Sequence, residues 1–238
     1  MIYYRNIGQI KAMTFDLDDT LYDNYPYIIR AEHALIEFLG SFADDPSHSH
    51  PGYWRDHRRA TLKQKPELHS DMGMLRREVL TSGIQAFGHS GHALKSAVDE
   101  AFDFFYFERS NFQVSTEVTD ILSKLGERWP LVAITNGNVN LEQIGIADYF
   151  QKSFHASLAF PMKPNSAMFD AAKKLLGLPA ESILHVGDNL EKDVLGAKKA
   201  GFMSAWYAEN RAMSLSGEDV TVLPDIQLQH LSELCDLN

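Results

Sequence analysis

The chain has one cysteine, Cys235, in 238 residues, so no intramolecular disulfide can form and stability must come from packing. Positive charge is scarce: 22 Lys and Arg face 32 Asp and Glu, a formal net charge of -10 at pH 7. A nucleic-acid partner needs a basic face to displace counterions from its phosphates, and this composition disfavours one. Long apolar runs are missing too: no stretch approaches the roughly 20 apolar residues needed to cross a bilayer. The N-terminal "MIYYRNIGQIKAM" lacks the apolar stretch of a secretory signal. Repeats and low-complexity tracts are absent. These absences lead us to expect a cytoplasmic chain with no membrane or nucleic-acid partner, no obligate protein partner and a small-molecule ligand.

What is present is an apolar fraction of 45%, enough to enclose a real core. Four short runs rich in apolar and β-branched residues read as buried parallel strands: Ile10 to Phe15, Leu131 to Thr135, Ile183 to Val186 and Met203 to Tyr207. Helical stripes lie between the later runs. Val118, Ile121, Leu122 and Leu125 fall at i, i+3, i+4, i+7, and Met168, Ala171, Ala172, Leu175 and Leu176 repeat the pattern ahead of a stop at Gly177. Strands alternating with helices predict an α/β fold with a Rossmann-like parallel sheet.

Residues 22–111 break that alternation. They carry helical stripes (Ile28, Ala31, Leu35, Phe38, Leu39) and no strand, with loop signals at "ADDPSHSHPG" and "GHSGH". The expected organisation is a core of residues 1–21 and 112–238 interrupted by a helical unit of about four helices at 22–111. An insertion after the first strand is expected over its C-terminal end, the edge at which open parallel sheets bind ligands.

Four polar clusters follow four strand-like or loop segments: Asp16-Leu17-Asp18-Asp19-Thr20, Thr135-Asn136-Gly137-Asn138, Lys163-Pro164, and Gly187-Asp188-Asn189 with Asp193. Carboxylates gathered at one sheet edge without enough cations must take up protons or recruit a metal. Mg2+ suits hard oxygen ligands, with Asp16 and Asp188 facing an open position. Lys163 would add positive charge and Thr135 a hydrogen bond to an oxygen, a set able to hold a phosphoryl group and stabilise the charge that builds during its transfer. Asp16 is then expected to act as nucleophile. Asp18, two residues on, is expected to protonate the leaving oxygen and later activate water. Asp19 reads as a turn cap pointing away, Thr20 as fixing the turn by a side-chain to backbone bond, and Asp23 as surface.

These residues resemble the haloacid dehalogenase superfamily in its phosphatase branch. "DLDDT" matches its first motif, "ITNGN" its second, Lys163-Pro164 its third and "VGDNLEKD" its fourth, in the family's order and across the whole chain. The resemblance implies a helical type 1 cap at the insertion. It makes Asp16 the nucleophile and a Mg2+ ligand, Asp18 the acid/base and a ligand through its carbonyl, and Asp188 a further ligand. Thr135 and the Asn136 amide would hold phosphoryl oxygens, Lys163 would neutralise charge, Asp193 would support the metal from behind or orient its water, and "LYDN" would gate the site. Within the superfamily, "TFDLDDTLYDN", "WPLVAITNGN" and "ILHVGDNLEKDVLGA" are most similar to bacterial 5-amino-6-(5-phospho-D-ribitylamino)uracil phosphatases of riboflavin biosynthesis, which implies action on FMN as well. Sister enzymes cleave nucleotides, phosphoglycolate and sugar phosphates with the same motifs. In "AFPMKP", Phe160 and Pro161 stand in a loop that many relatives build around glycine.

Other features read as structural. His48 and His50 sit in a Pro/Gly/Ser loop without a second ligand pair, and His185 reads as a satisfied core histidine. The run Phe102 to Phe107 reads mostly as helix core. Tyr22, Asn24 and Tyr25 are stronger candidates for touching a leaving group. A metal-free dehalogenase gains little from Asp18, since it has no leaving oxygen to protonate. A signalling receiver would place its acidic pair and phosphoacceptor on different strands, and a catalytically dead binding module would lack a motif residue.

Overall fold

The computed structural model describes residues 1–42, 50–218 and 220–238. After β1 (Ile2–Tyr3) and β2 (Ala12–Phe15) come four helices: α1 (Tyr25–Gly40), α2 (Pro51–Gln64), α3 (Met72–Ala86) and α4 (Gly91–Arg109). Then follow α5 (Thr116–Gly126), β3 (Leu131–Thr135), β4 (Lys152–His155), α6 (Ala167–Leu176), β5 (Ile183–Gly187), α7 (Gly196–Lys199), β6 (Met203–Trp206) and β7 (Ile226–Gln227). The sheet has seven strands in the order β1-β7-β6-β5-β2-β3-β4. Every pair is parallel except β1 with β7.

The expected α/β fold is present. All four expected strands form, with β2 starting at Ala12 rather than Ile10, β5 reaching Gly187 and β6 stopping at Trp206. Three strands escaped the sequence reading: β1 and β7 are two residues each, and β4 (KSFH) lies at the edge with no continuous apolar run. Central β2 is buried along its whole length because β3 and β5 flank it and its two faces are covered. The α5 stripe is buried at all four expected positions. In α6, Met168 and Ala172 are buried but Leu175 is exposed, and Phe169, outside the expected stripe, is buried instead with its ring edge-on to Phe202.

The chain divides into two compact units: Met1–Asn24 with Gln113–Gly137 and Leu141–Asn238, and Tyr25–Phe112 with Asn138–Asn140. The second unit packs α1 against α4, α4 against α3 and α3 against α2. Its core is Ala31, Leu35, Leu39, Leu80, Ile84, Ala97, Val98, Ala101 and Phe105. Burying one such Phe or Leu removes enough apolar surface to contribute about 1.5–3 kcal/mol. Asp71 starts α3 by accepting the Met74 amide at 2.8 Å, satisfying a donor the helix leaves open. His50 does the same for α2 through Nδ1, while His48 lies outside the described residues. The aromatic run behaves as helix core in part: Phe105 is buried and Phe104 stacks on Phe38, whereas Phe107 is exposed.

Candidate active site

From β2 the chain moves outward through β3 and β4, then crosses back to β5 on the other side and continues to β6 and β7. Strand order reverses between β2 and β5, and ligands of open parallel sheets bind beyond the C-terminal strand ends at such a switch. The clusters read from the sequence lie there: Asp16 follows β2, Asp188 follows β5, and Thr135 ends β3. The Asp16 amide still bonds to Val186 O at 2.8 Å, so the carboxylate leaves the sheet from a backbone fixed on the ladder.

Lys163 ties the cluster together from the interior. Its Nζ forms an ion pair with Asp16 Oδ1 at 2.7 Å and donates to Asp193 Oδ1 at 2.6 Å and Ile134 O at 2.7 Å. Three oxygens therefore surround an ammonium that carries three N–H donors. Asn136 clamps the lysine's main chain by accepting its amide at 2.7 Å and donating to its carbonyl at 3.1 Å. Phe160, in that third-motif loop, packs edge-on against Phe154 and lies partly buried against the sheet's core.

Asp193 is held on both oxygens. Beyond Lys163, Oδ1 lies 3.2 Å from His185 Nε2, and Oδ2 accepts the Asn189 amide at 3.0 Å. His185 Nδ1 is 2.8 Å from Thr14 Oγ1. Burial pushes the His185 pKa down, so a neutral ring fits, with Nε2–H facing Asp193 and Nδ1 accepting from Thr14. His185 is thus the satisfied core histidine the sequence suggested. A Cβ on Gly187 would lie 2.3 Å from Asp193 Cγ, so glycine alone permits this approach.

Asp188 receives Arg211 from outside: the guanidinium donates to Oδ2 at 2.9 Å and to the main-chain O at 2.8 Å. Trp206 Nε1 donates to the same carbonyl at 2.7 Å. Among the described residues, neither Asp16 Oδ2 nor Asp188 Oδ1 has a protein hydrogen-bond partner.

Asp18 lies beside the β3 loop. A Cβ on Gly137 would come 2.5 Å from Asp18 Oδ2, so the glycine lets this loop lie against the carboxylate. Gly137 N donates to Thr135 Oγ1 at 3.0 Å, and Gly137 O accepts from His155 Nδ1 at 3.0 Å. Tyr22, expected to face a leaving group, is buried and donates its hydroxyl to Asp18 Oδ1 at 2.6 Å. Tyr25 is exposed, and so is Asp23, as expected. Asp19 caps the turn by accepting the Asn24 amide at 2.9 Å. Its backbone is left-handed at φ 61. Thr20 corrects an expectation: its hydroxyl is buried without a partner, and the turn is closed by backbone bonds from Thr20 and Leu21 to Leu17 O. These short bonds at the turn leave the hydroxyl nothing to do.

The electrostatics follow from burial. Burial pushes the Asp16 pKa well above the usual carboxylate value, Lys163 opposes that, and Asp193 and Asp188 add to it. Burial, with the charge of Asp193, raises Asp188 to about 6 despite Arg211. For Asp193 burial is outweighed by Lys163 and His185, which hold its carboxyl well below the usual range. Lys163 is raised, because Asp16 and Asp193 outweigh its own burial.

One oxygen from each of Asp16, Asp188 and Asp193 lies within 4.8 Å of the others. Three carboxylates therefore meet two cations, Lys163 and Arg211, leaving a deficit of positive charge and two oxygens without protein donors. That donor set fits a hard divalent cation. Asp193, engaged on both oxygens, serves better to orient Lys163 than as a ligand. Sequence reasoning missed Arg211, His155 and the Tyr22 to Asp18 bond. Arg211 had one available signal: it lies in the loop after β6, a further strand end at the same edge.

The model of haloacid dehalogenase-like hydrolases matches residues 10–201. The chain is 34% identical over 237 residues to the 5-amino-6-(5-phospho-D-ribitylamino)uracil phosphatase YigB of Escherichia coli, covering 100% of both. It is 29% identical to a phosphoglycolate phosphatase of Neisseria gonorrhoeae, over 96% of this chain and 93% of that one. A solved structure described as a 2-haloacid dehalogenase from Pseudomonas syringae is 32% identical with a TM-score of 0.85, covering 96% of this chain and 97% of that one. With the family model spanning strands β2 to β5, the switch point between them and all four motifs, this chain belongs to the haloacid dehalogenase-like hydrolases.

Proposed function

We propose that this chain is a Mg2+-dependent phosphomonoesterase working through an aspartyl-phosphate on Asp16. The observation that carries the reading is the pairing of Asp16 with buried Lys163 at 2.7 Å, beside open carboxylate oxygens and with Asp18 two residues away. A bound Mg2+, held by Asp16 and Asp188 and the Asp18 carbonyl, would supply charge neutralisation for the phosphoryl oxygens.

The chain's own groups divide the work. Asp16 attacks phosphorus while Lys163 keeps its carboxylate oriented. Asp18 gives its proton to the departing oxygen, then takes one from the water that attacks the phosphorus of the Asp16 acyl phosphate, breaking its bond to the Asp16 oxygen and releasing phosphate. Thr135 and the Asn136 amide bind phosphoryl oxygens. Asp193 holds Lys163 in place. The helical unit, inserted directly after the nucleophile's strand, serves as the cap that selects the leaving group.

The proposed substrate is 5-amino-6-(5-phospho-D-ribitylamino)uracil, with FMN also accepted, in the cytoplasm. The 34% identity over the full length of the Escherichia coli phosphatase supports the first of these substrates. Phosphoglycolate is the second candidate, on the Neisseria relative. A carbon-attacking dehalogenase, which the Pseudomonas description raises, has no use for Asp18 or for extra buried carboxylates.

A release assay over the ribityl pyrimidine phosphate, FMN, phosphoglycolate, nucleotides, sugar phosphates and 2-chloropropionate tests the reading. We expect phosphate from the first two at a kcat/KM at least about tenfold above phosphoglycolate, roughly 1.4 kcal/mol in barrier, and no chloride. Chloride release without phosphate release would replace the phosphatase with a dehalogenase.

A further inference from the structure

We propose that Arg211 is a positioning residue for the cation site, setting which oxygen of Asp188 is presented to the metal. The inference rests on the phosphatase reading, because it concerns how the chain prepares that site. Arg211 lies in the loop after β6, and its guanidinium is directed inward by four acceptors. Its Nε donates to Glu218 Oε1 at 3.0 Å, and Nη1 to Asp188 Oδ2 at 2.9 Å and to Asn210 Oδ1 at 3.1 Å. Nη2 donates to the Asp188 carbonyl at 2.8 Å.

The two contacts to Asp188 matter together. A planar fork that grips both a carboxylate oxygen and the main-chain oxygen of one residue fixes that residue's side-chain rotation as well as its charge. Oδ2 is held by the arginine, and Oδ1 is left without a protein donor. The same loop is tied to the first motif, because Glu209 N donates to Asp19 O at 2.8 Å. Trp206 Nε1 supports the Asp188 carbonyl from β6. The loop after β6 thus braces the backbone following Asp16 and the carboxylate of Asp188. With four of its five donors directed at protein acceptors, Arg211 is placed as a brace and not as a phosphate-binding group.

The test is direct Mg2+ binding to the full-length protein by calorimetry without substrate, with Trp206 fluorescence as a second readout. Outer partners of metal ligands commonly contribute 10–100-fold in affinity. We expect Arg211→Ala to weaken Mg2+ binding about tenfold or more, with a circular dichroism spectrum like that of the wild type. We expect Arg211→Lys, which keeps the charge and loses the fork, to weaken it by a similar factor. In turnover, the Mg2+ concentration at half activation should rise while kcat at saturating Mg2+ stays within about threefold. If Arg211→Ala does not fold, Arg211→Lys decides alone. Unchanged or tighter Mg2+ binding in the folded variants, or full rescue by lysine, would overturn the proposal. A wild-type protein that takes up no Mg2+ would instead contradict the phosphatase reading.

Discussion

The two units handle buried polarity in opposite ways. In the unit built on the sheet, Asp16, Lys163, His185, Asp188, Asp193 and Asp225 are all buried. In the helical unit the buried polar side chains among the described residues are Thr61, Arg109 and Ser110, with no carboxylate. Aliphatic side chains and Phe105 make up its interior, partly buried aromatic rings pack against them, and cations lie over two rings: Arg76 is 3.4 Å from the Phe105 ring centroid and Arg77 is 4.0 Å from that of Phe102. Burying an ionised carboxylate is costly unless it is paired. Three of the four buried carboxylates, Asp16, Asp188 and Asp193, meet at one sheet edge where charge is needed for chemistry, while the fourth, Asp225, is paired with Lys198 and Ser204 and the helical unit buries none among its described residues.

The contrast can be broken most severely at Lys163. Lys163→Met should strand Asp16 and Asp193 as buried, unpaired carboxylates, lowering stability by about 3–5 kcal/mol in urea unfolding and removing activity together. Phe105→Ala is the counterpart in the helical unit. It should cost about 3–5 kcal/mol through the cavity alone, with Mg2+ affinity measured by calorimetry unchanged. Loss of Mg2+ binding in that variant would mean that the two units do not divide the labour as described. Asp18→Asn should be milder for stability and selective in rate. We expect about 10²-fold loss or more on an alkyl phosphate, whose leaving group needs a proton, and a clearly smaller loss on an aryl phosphate. Equal losses would argue against the acid role.

The smallest expected effect is a pH dependence. The native pKa of Asp188 is raised to about 6, and Asp16 is raised as well. Between the unfolded carboxylate value near 4 and about 6, the metal-free native state therefore binds more protons than the unfolded chain, so stability falls as pH rises through that window. Mg2+ binds the deprotonated carboxylates and offsets this loss. Its increment in Tm should be larger at pH 7.5 than at pH 5; the reverse order would show that protons and metal do not share this site.

Much of this arrangement was legible in the sequence because its signals are local. An apolar run followed by Asp16-Leu17-Asp18, or by Gly187-Asp188, announces a buried strand and what emerges from its end. The α1 and α5 stripes were equally clear. The missing strands were short or lay at the edge, where one-sided burial leaves no continuous apolar pattern. Thr20 failed as a turn brace because backbone bonds to Leu17 already close that turn, a competition that residue type alone does not reveal. Arg211, 23 residues from Asp188 in sequence, becomes meaningful only once β5 and β6 are adjacent.

The central claim, nucleophilic attack by Asp16 at a cation-dependent site, is tested most directly by phosphate release from an aryl phosphate. Wild type and Asp16→Asn should be compared in Mg2+ and in excess EDTA. The account predicts release only from wild type with Mg2+, and a folded Asp16→Asn slower by about 10³-fold or more, roughly 4 kcal/mol in barrier. Full activity in EDTA, or an Asp16→Asn rate within about tenfold of wild type, would contradict it.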